Sequence, residues 1–141
     1  MIRIVLDTDV MFAAFHSPEG ASRRLLLDVL DSKVRLLLST TLLVEYEAVL
    51  TRPPNLTKFG LATADVLEVL DELAGICIPV AFDYRWRPAV ADPDDELVLE
   101  TAVNGRADVI ATFNLADMAA GAAPFGIPVE RPKDVLRRLR A

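Results

Sequence analysis

The chain has 141 residues and a mass of 15.4 kDa, a size that fits one domain and leaves little room for a second. A hydrophobic fraction of 52% against 26% charged residues, with mean hydropathy +0.33, supplies a core and excludes a disordered chain. A net charge of -6 and a pI ≈ 4.7 exclude a basic protein that coats nucleic acid or a membrane surface.

In chain order, residues 2–6 (IRIVL) form a short apolar run rich in β-branched side chains, the pattern of a strand covered on both faces. The run is too brief for a signal-peptide core, and no later stretch approaches the ~18 apolar residues of a membrane span, so the chain reads as cytoplasmic. Strand-like runs recur at 34–38 (VRLLL), 76–82 (ICIPVAF), 108–111 (DVIA) and 127–130 (IPVE), with Pro79 confining the third to a sheet edge. Between them, helical spacing marks 22–30, 41–50, 63–73 and 94–103, and Pro132 opens a last helix over 133–140. Gly75 and Gly105 stand where the third and fourth helices would stop. The Ala/Gly-rich stretch 119–123 reads as a loop or loose helix end, His16 as a loop residue and Cys77 as a buried strand residue. Alternating strands and helices predict a single α/β domain over 1–141, with a mainly parallel central sheet flanked by helices.

The acids fall in a pattern. In open parallel sheets the functional crevice lies beyond the carboxyl ends of the strands. Asp7 and Asp9 follow the first run, Ser39 and Thr40 the second, and Thr112, Asn114 and Asp117 the fourth. Glu45 shares its helix side with Leu42, Ala48 and Val49, which turns it toward the sheet. Asp95 shares a face with Val98, Leu99 and Ala102, a row that packs inward. Plain structural roles compete with chemistry here: Asp92 is a good N-cap ahead of Pro93, Asp7 fits a strand-end turn, and Glu45 fits a solvated helix side. Yet Asp92, Asp94, Asp95 and Glu96 crowd together, and unit charges ~4 Å apart repel by about 4 kcal/mol at an effective dielectric of 20. A cation offsets such crowding. One cysteine and one histidine cannot build a disulfide or a zinc site, so an oxygen-only cluster points to Mg²⁺ or Mn²⁺. Ions of this kind polarise phosphodiesters and acidify water, which directs the reading toward phosphoryl chemistry.

The order Val5-Leu6-Asp7-Thr8-Asp9-Val10, then Leu38-Ser39-Thr40 running into Glu45, then Asp92-Pro93-Asp94-Asp95-Glu96 with Thr101-Ala102, then Asp108-Val109-Ile110-Ala111-Thr112-Phe113-Asn114, resembles the PIN domain over nearly the whole chain. It is most similar to the stand-alone, VapC-like toxins of toxin–antitoxin systems. The resemblance implies a Rossmann-like sandwich and a metal-dependent endoribonuclease. It also implies frequent homodimers and inhibition by a small antitoxin. Asp7, Glu45 and Asp95 match the family's first three acids as Mg²⁺ ligands, with Asp92 or Asp117 acting through water. At the fourth position the family shows Thr-x-Asp or Thr-x-Asn, so Asn114 would support a water and Asp117 supply charge, while Thr112 or Thr8 orients the attacking water. Asp9 departs from the family, where Asn is commoner.

Phosphate contacts would come from Arg23 and Arg24, from Arg85 and Arg87 around a base-stacking Trp86, and from the C-terminal set Arg131, Arg137, Arg138 and Arg140, whose plainer role is a solvated helix end. Two other readings remain. Leu6-Asp7-Thr8-Asp9-Val10 also fits a haloacid-dehalogenase-like phosphatase, which wants a lysine that only Lys58 offers mid-chain. Asn114 keeps open a non-catalytic PIN-like module that binds RNA or protein. If Asp7, Asp9, Glu45, Asp92, Asp94, Asp95 and Asp117 lie at one edge, the remainder of the chain is nearly neutral, and the acidity is a local cation trap.

Overall fold

A computed structural model describes residues 1–82 and 93–141, and of Pro93 and Asp94 the backbone only. Its elements are β1 (Arg3–Leu6), α1 (Thr8–His16), α2 (Ala21–Leu30), β2 (Arg35–Leu38), α3 (Thr40–Leu50), α4 (Pro53–Phe59), α5 (Thr63–Ile76), β3 (Ile78–Pro79), α6 (Pro93–Gly105), β4 (Val109–Ala111), α7 (Leu115–Ala122), a 3-10 turn (Ala123–Phe125), β5 (Val129–Glu130) and α8 (Pro132–Arg140). The strands form one sheet in the order β3-β2-β1-β4-β5, and every neighbouring pair is parallel. β3, the strand with Pro79, lies at the edge where its missing N–H is harmless.

Successive strand residues point to opposite faces, yet Ile4, Val5, Leu6, Leu36, Leu37, Leu38, Val109, Ile110 and Ala111 are all buried. Helices therefore cover both faces, which explains apolar runs without alternation. Leu25, Leu42, Leu50, Leu73 and Leu99 bring the helices onto one continuous core. Among the described residues no helix is long and apolar enough to cross a membrane.

Several local expectations change. α5 continues through Gly75 and ends at Ile76, so that glycine is a helix residue, and Cys77 is the half-buried C-cap of α5 outside any strand. His16 is the exposed last residue of α1, its ring tilted against Phe12 and Phe59. Residues 119–123 are helical, divided between α7 and the 3-10 turn. At the end of α6 the left-handed residue is Arg106 (φ 56°) rather than Gly105. Gly105 serves packing: a Cβ there would stand 2.9 Å from both Leu37 Cδ1 and Val80 Cγ2, so only glycine lets α6 close on the β2 side of the sheet.

Candidate metal centre at the β1–β4 switch point

Chain order reverses across β1. The next strand, β2, lies on one side and β4 on the other, which makes the crevice beyond their carboxyl ends the ligand position of this architecture. Leu6 pairs with Ala111, and the Asp7 N–H donates to the Ala111 carbonyl at 2.9 Å. Asp7 and Thr112 thus stand side by side at the ends of the two central strands.

Asp7 caps α1 and is only 8% exposed. Its Oδ1 accepts from the Thr8 N–H at 2.7 Å and its Oδ2 from the Thr112 hydroxyl at 2.6 Å. Thr112 is fully buried, and its Oγ1 also accepts the Asn114 N–H at 3.0 Å. Thr112, expected to orient water, here positions Asp7 through this hydrogen bond. Carboxylates held by two donors keep their charge and orientation.

Asp9, in the first turn of α1, is half-buried. Its Oδ2 accepts the Phe113 N–H at 3.1 Å, tying the start of α1 to the end of β4. Its Oδ1 is buried and has no hydrogen-bond partner among the described residues. Burial pushes this carboxyl above its ordinary range, the Phe113 and Val10 amides pull it back, and the nearby charge of Asp95 raises it further. Asp95 itself, 7% exposed, lies on α6 with Val98, Leu99 and Ala102 fully buried along the same row, as its spacing predicts. Asp7, Asp9 and Asp95 accordingly reach one edge from two elements distant in sequence.

The remaining expected acids fall differently. The buried row of α3 is Leu42, Tyr46 and Leu50, with Glu45 half-buried beside it and Ala48 exposed, so the sheet-facing row is turned by one residue from the expected one. Tyr46 is the cause. Its ring fills core space that Ala48 is too small to fill, and its hydroxyl donates to the Leu6 carbonyl next to Asp7. Burial and the Asp7 charge push the phenol well above its usual range, which keeps it a neutral donor. α3 still packs on α1 and α6, the two helices that carry the other acids.

Asn114 is the N-cap residue of α7, and its Nδ2 lies 3.4 Å from Asp117 Oδ2, on an exposed side chain in the first turn of that helix. Asp92 lies outside the described residues, as do Arg85, Trp86 and Arg87. Thr8, also named for the water, is half-buried in α1 beside Asp7. Lys58 sits on α4 with its ammonium 5.8 Å from the Phe12 ring centre, a cation–π contact rather than a place beside Asp7.

Sequence reasoning missed Tyr46 as a support for Asp7, although the spacing Leu42, Tyr46, Leu50 carries the signal. It also left Ser39 as an edge hydroxyl. Ser39 Oγ accepts the Leu42 N–H at 3.2 Å and donates to Thr101 Oγ1 at 2.7 Å, while Thr101 donates to the Leu97 carbonyl. This chain of hydroxyls ties the end of β2 to α6 and so holds Asp95 in register with the strands.

Four of the six described arginines expected at phosphate have structural partners. Arg23 donates to the Ala14 and Phe15 carbonyls at the end of α1, which removes it from the expected phosphate contacts. Arg137 pairs with Asp134 at 3.4 Å, Arg138 chelates Glu130 through two nitrogens, and Arg140 lies 3.7 Å from the buried Asp28. Arg24 is exposed on α2, and Arg131 is the exposed N-cap residue of α8.

A divalent cation fits this edge. Every donor is an oxygen, and among the described residues the buried Oδ1 of Asp9, which feels the Asp95 charge, has no hydrogen-bond partner. Among the described residues no three His, Cys, Asp or Glu side chains form a ready cage. Mg²⁺ suits such an arrangement, because it takes one or two carboxylates and keeps several waters, whereas zinc wants a closed set. Asp9→Asn removes a half-buried charge that the Asp95 charge opposes, so it is expected to leave the metal-free protein no less stable than wild type and to reduce the further rise in midpoint that Mg²⁺ produces. Thermal melts of both proteins, with EDTA and with Mg²⁺, check this; a lower midpoint for the metal-free variant contradicts it.

The PIN domain family matches residues 3–116 of the chain. No curated protein sequence matches it. Among solved structures, the fold is similar to a chain of VapBC2 from Rickettsia felis bound to a DNA fragment from its promoter, with TM-score 0.64 and 12% identity over 92% of this chain and 98% of that one. It is likewise similar to a chain of FitAcB from Neisseria gonorrhoeae, with TM-score 0.59 and 20% identity over the same shares of the two chains.

Proposed function

The chain belongs to the PIN-domain family, and from that membership we propose that it is a divalent-metal-dependent endoribonuclease, the toxin of a toxin–antitoxin pair. The observation that supports this reading is the Asp7–Thr112 hydrogen bond at the ends of β1 and β4, with Asp9 close enough to Asp95 to feel its charge and one buried Asp9 oxygen without a partner among the described residues. The VapBC2 and FitAcB complexes that share the fold support the pairing with an antitoxin.

In this proposal Asp7 and Asp95 hold the cation, Asp9 adds charge, and Glu45 approaches from α3. Asp92 and Asp117 contribute through water. The bound cation supplies positive charge against the phosphodiester oxygens and acidifies water. The protein's own residues do the rest. Thr112 and the Thr8 N–H keep the Asp7 carboxylate oriented, and Tyr46 fixes the Leu6 carbonyl so that the end of β1 does not drift. The buried acids repel polyanion until a cation is bound, so RNA and metal enter as a coupled pair. A second copy of the chain, an antitoxin and the cytoplasm complete the proposed setting.

The test is cleavage of a mixed RNA pool with Mg²⁺ or Mn²⁺ and with EDTA. Products that form only with the metal are the expected result. Hydrolysis of a small phosphomonoester with the RNA left intact would return the phosphatase reading, and metal binding without cleavage would return the non-catalytic module that Asn114 kept open.

A further inference from the structure

A cavity of about 230 Å³ opens beside the acidic edge, between the starts of α2 and α8. Its wall is largely apolar, and the Phe113 ring, 48% exposed, forms part of it. Since the Phe113 N–H donates to Asp9, cavity and acidic edge meet at one residue. α2 and α8 pack on each other, and neither N-cap residue, Gly20 or Arg131, supplies a side-chain cap, so the free N–H groups and positive dipole ends of two helices border the same space. Ser22 also lines it. This residue is only 3% exposed, and its Oγ has no hydrogen-bond partner. Arg131 and Lys133 stand at the rim without a carboxylate partner among the described residues, unlike Arg137, Arg138 and Arg140.

We propose that this cavity is a nucleotide subsite: a base stacks on Phe113, and its phosphate meets Arg131, Lys133 and the two helix starts. That the nucleotide belongs to the cleaved RNA strand rests on the nuclease reading; that the cavity takes a nucleotide does not. The apolar wall and the aromatic ring suit a base, whereas inorganic phosphate alone would leave them unused. Arg131 directly follows β5, whose Glu130 carbonyl accepts the Thr112 N–H at 3.0 Å, so a strand seated here passes directly onto the carboxylates. Among the expected phosphate contacts, this selects Arg131 from the C-terminal set and adds Lys133.

The test has two arms. In EDTA, AMP is titrated into the protein and followed by amide chemical shifts. Shifts at residues 20–22, 113, 131 and 133 are expected, with affinity about tenfold weaker in Phe113→Ala, the loss of one stacked base. In the second arm a fluorescein-labelled single-stranded RNA decamer is bound without metal and cleaved with it. Lys133→Glu lowers the salt dependence of binding by about one unit of slope, while Arg137→Glu, on a residue already paired, lowers it less. AMP that leaves these amides unmoved overturns the subsite, and would fit a cavity made for a peptide instead. Cleavage by wild type with unchanged KM in Phe113→Ala overturns its use by RNA and leaves the nuclease reading intact. AMP shifts in a protein that cuts no RNA leave the subsite standing and remove the nuclease reading.

Discussion

Asp95→Asn is expected to reduce metal-dependent RNA cleavage by roughly 10²- to 10³-fold while the folded protein survives. The size follows from the several kcal/mol that a bound cation contributes against developing phosphoryl charge, at about 1.36 kcal/mol per tenfold. Survival follows from the geometry. Asp95 is buried in a row of apolar residues, and its charge acts on Asp9, so a neutral side chain of the same shape relieves repulsion instead of opening a cavity. Mg²⁺ should stabilise the variant less than it stabilises wild type. Asp7→Asn should lose activity to the same degree but carries a structural cost. Asp7 accepts from both the Thr8 amide and the Thr112 hydroxyl, and an amide offers only one acceptor oxygen. Equal cleavage by wild type and Asp95→Asn at saturating Mg²⁺ would show that this edge does not hold the catalytic ion.

The three central strands were legible because β1, β2 and β4 are buried apolar runs, and Asp95 was legible because it interrupts an apolar helix row. Other elements gave weaker signals. α1 follows Asp7 immediately and reads TDVMFAAFH, with Val10, Met11, Ala14 and Phe15 all buried, so no polar face marks its period. Asp9, read only as an acid following the first strand, is a first-turn helix residue. α4 begins with Pro53 and Pro54, which read as breakers but occupy first-turn positions where proline is tolerated. The arginines could not be sorted in advance. Whether a guanidinium meets phosphate or a carboxylate depends on which helix ends lie together, and the pairing of Arg140 with Asp28 across α8 and α2 spans most of the chain. The same contact explains why the C-terminal arginines serve the fold while Arg131, one residue before α8, does not share that fate.

Thr112→Val should weaken Mg²⁺ binding by about 10- to 100-fold, the usual effect of losing a group that orients a metal ligand. The hydroxyl donates to Asp7 Oδ2 and accepts the Asn114 amide, so its removal frees the carboxylate to rotate and leaves a buried N–H without a partner. Valine matches the volume but supplies neither bond, and the stability cost should be about 1–3 kcal/mol. Thr112→Ser keeps the hydroxyl and should restore most of the metal affinity, leaving only a small cavity where the methyl stood. The pair separates positioning from packing. Calorimetric Mg²⁺ titration and thermal melts together decide it: a positioning role predicts that serine recovers binding more completely than stability, whereas a packing role predicts that valine preserves both. Were valine to bind Mg²⁺ as wild type does, the Asp7 carboxylate would be held by Thr8 and the strand end alone, and the switch point would owe its geometry to β1 rather than to the β1–β4 pair.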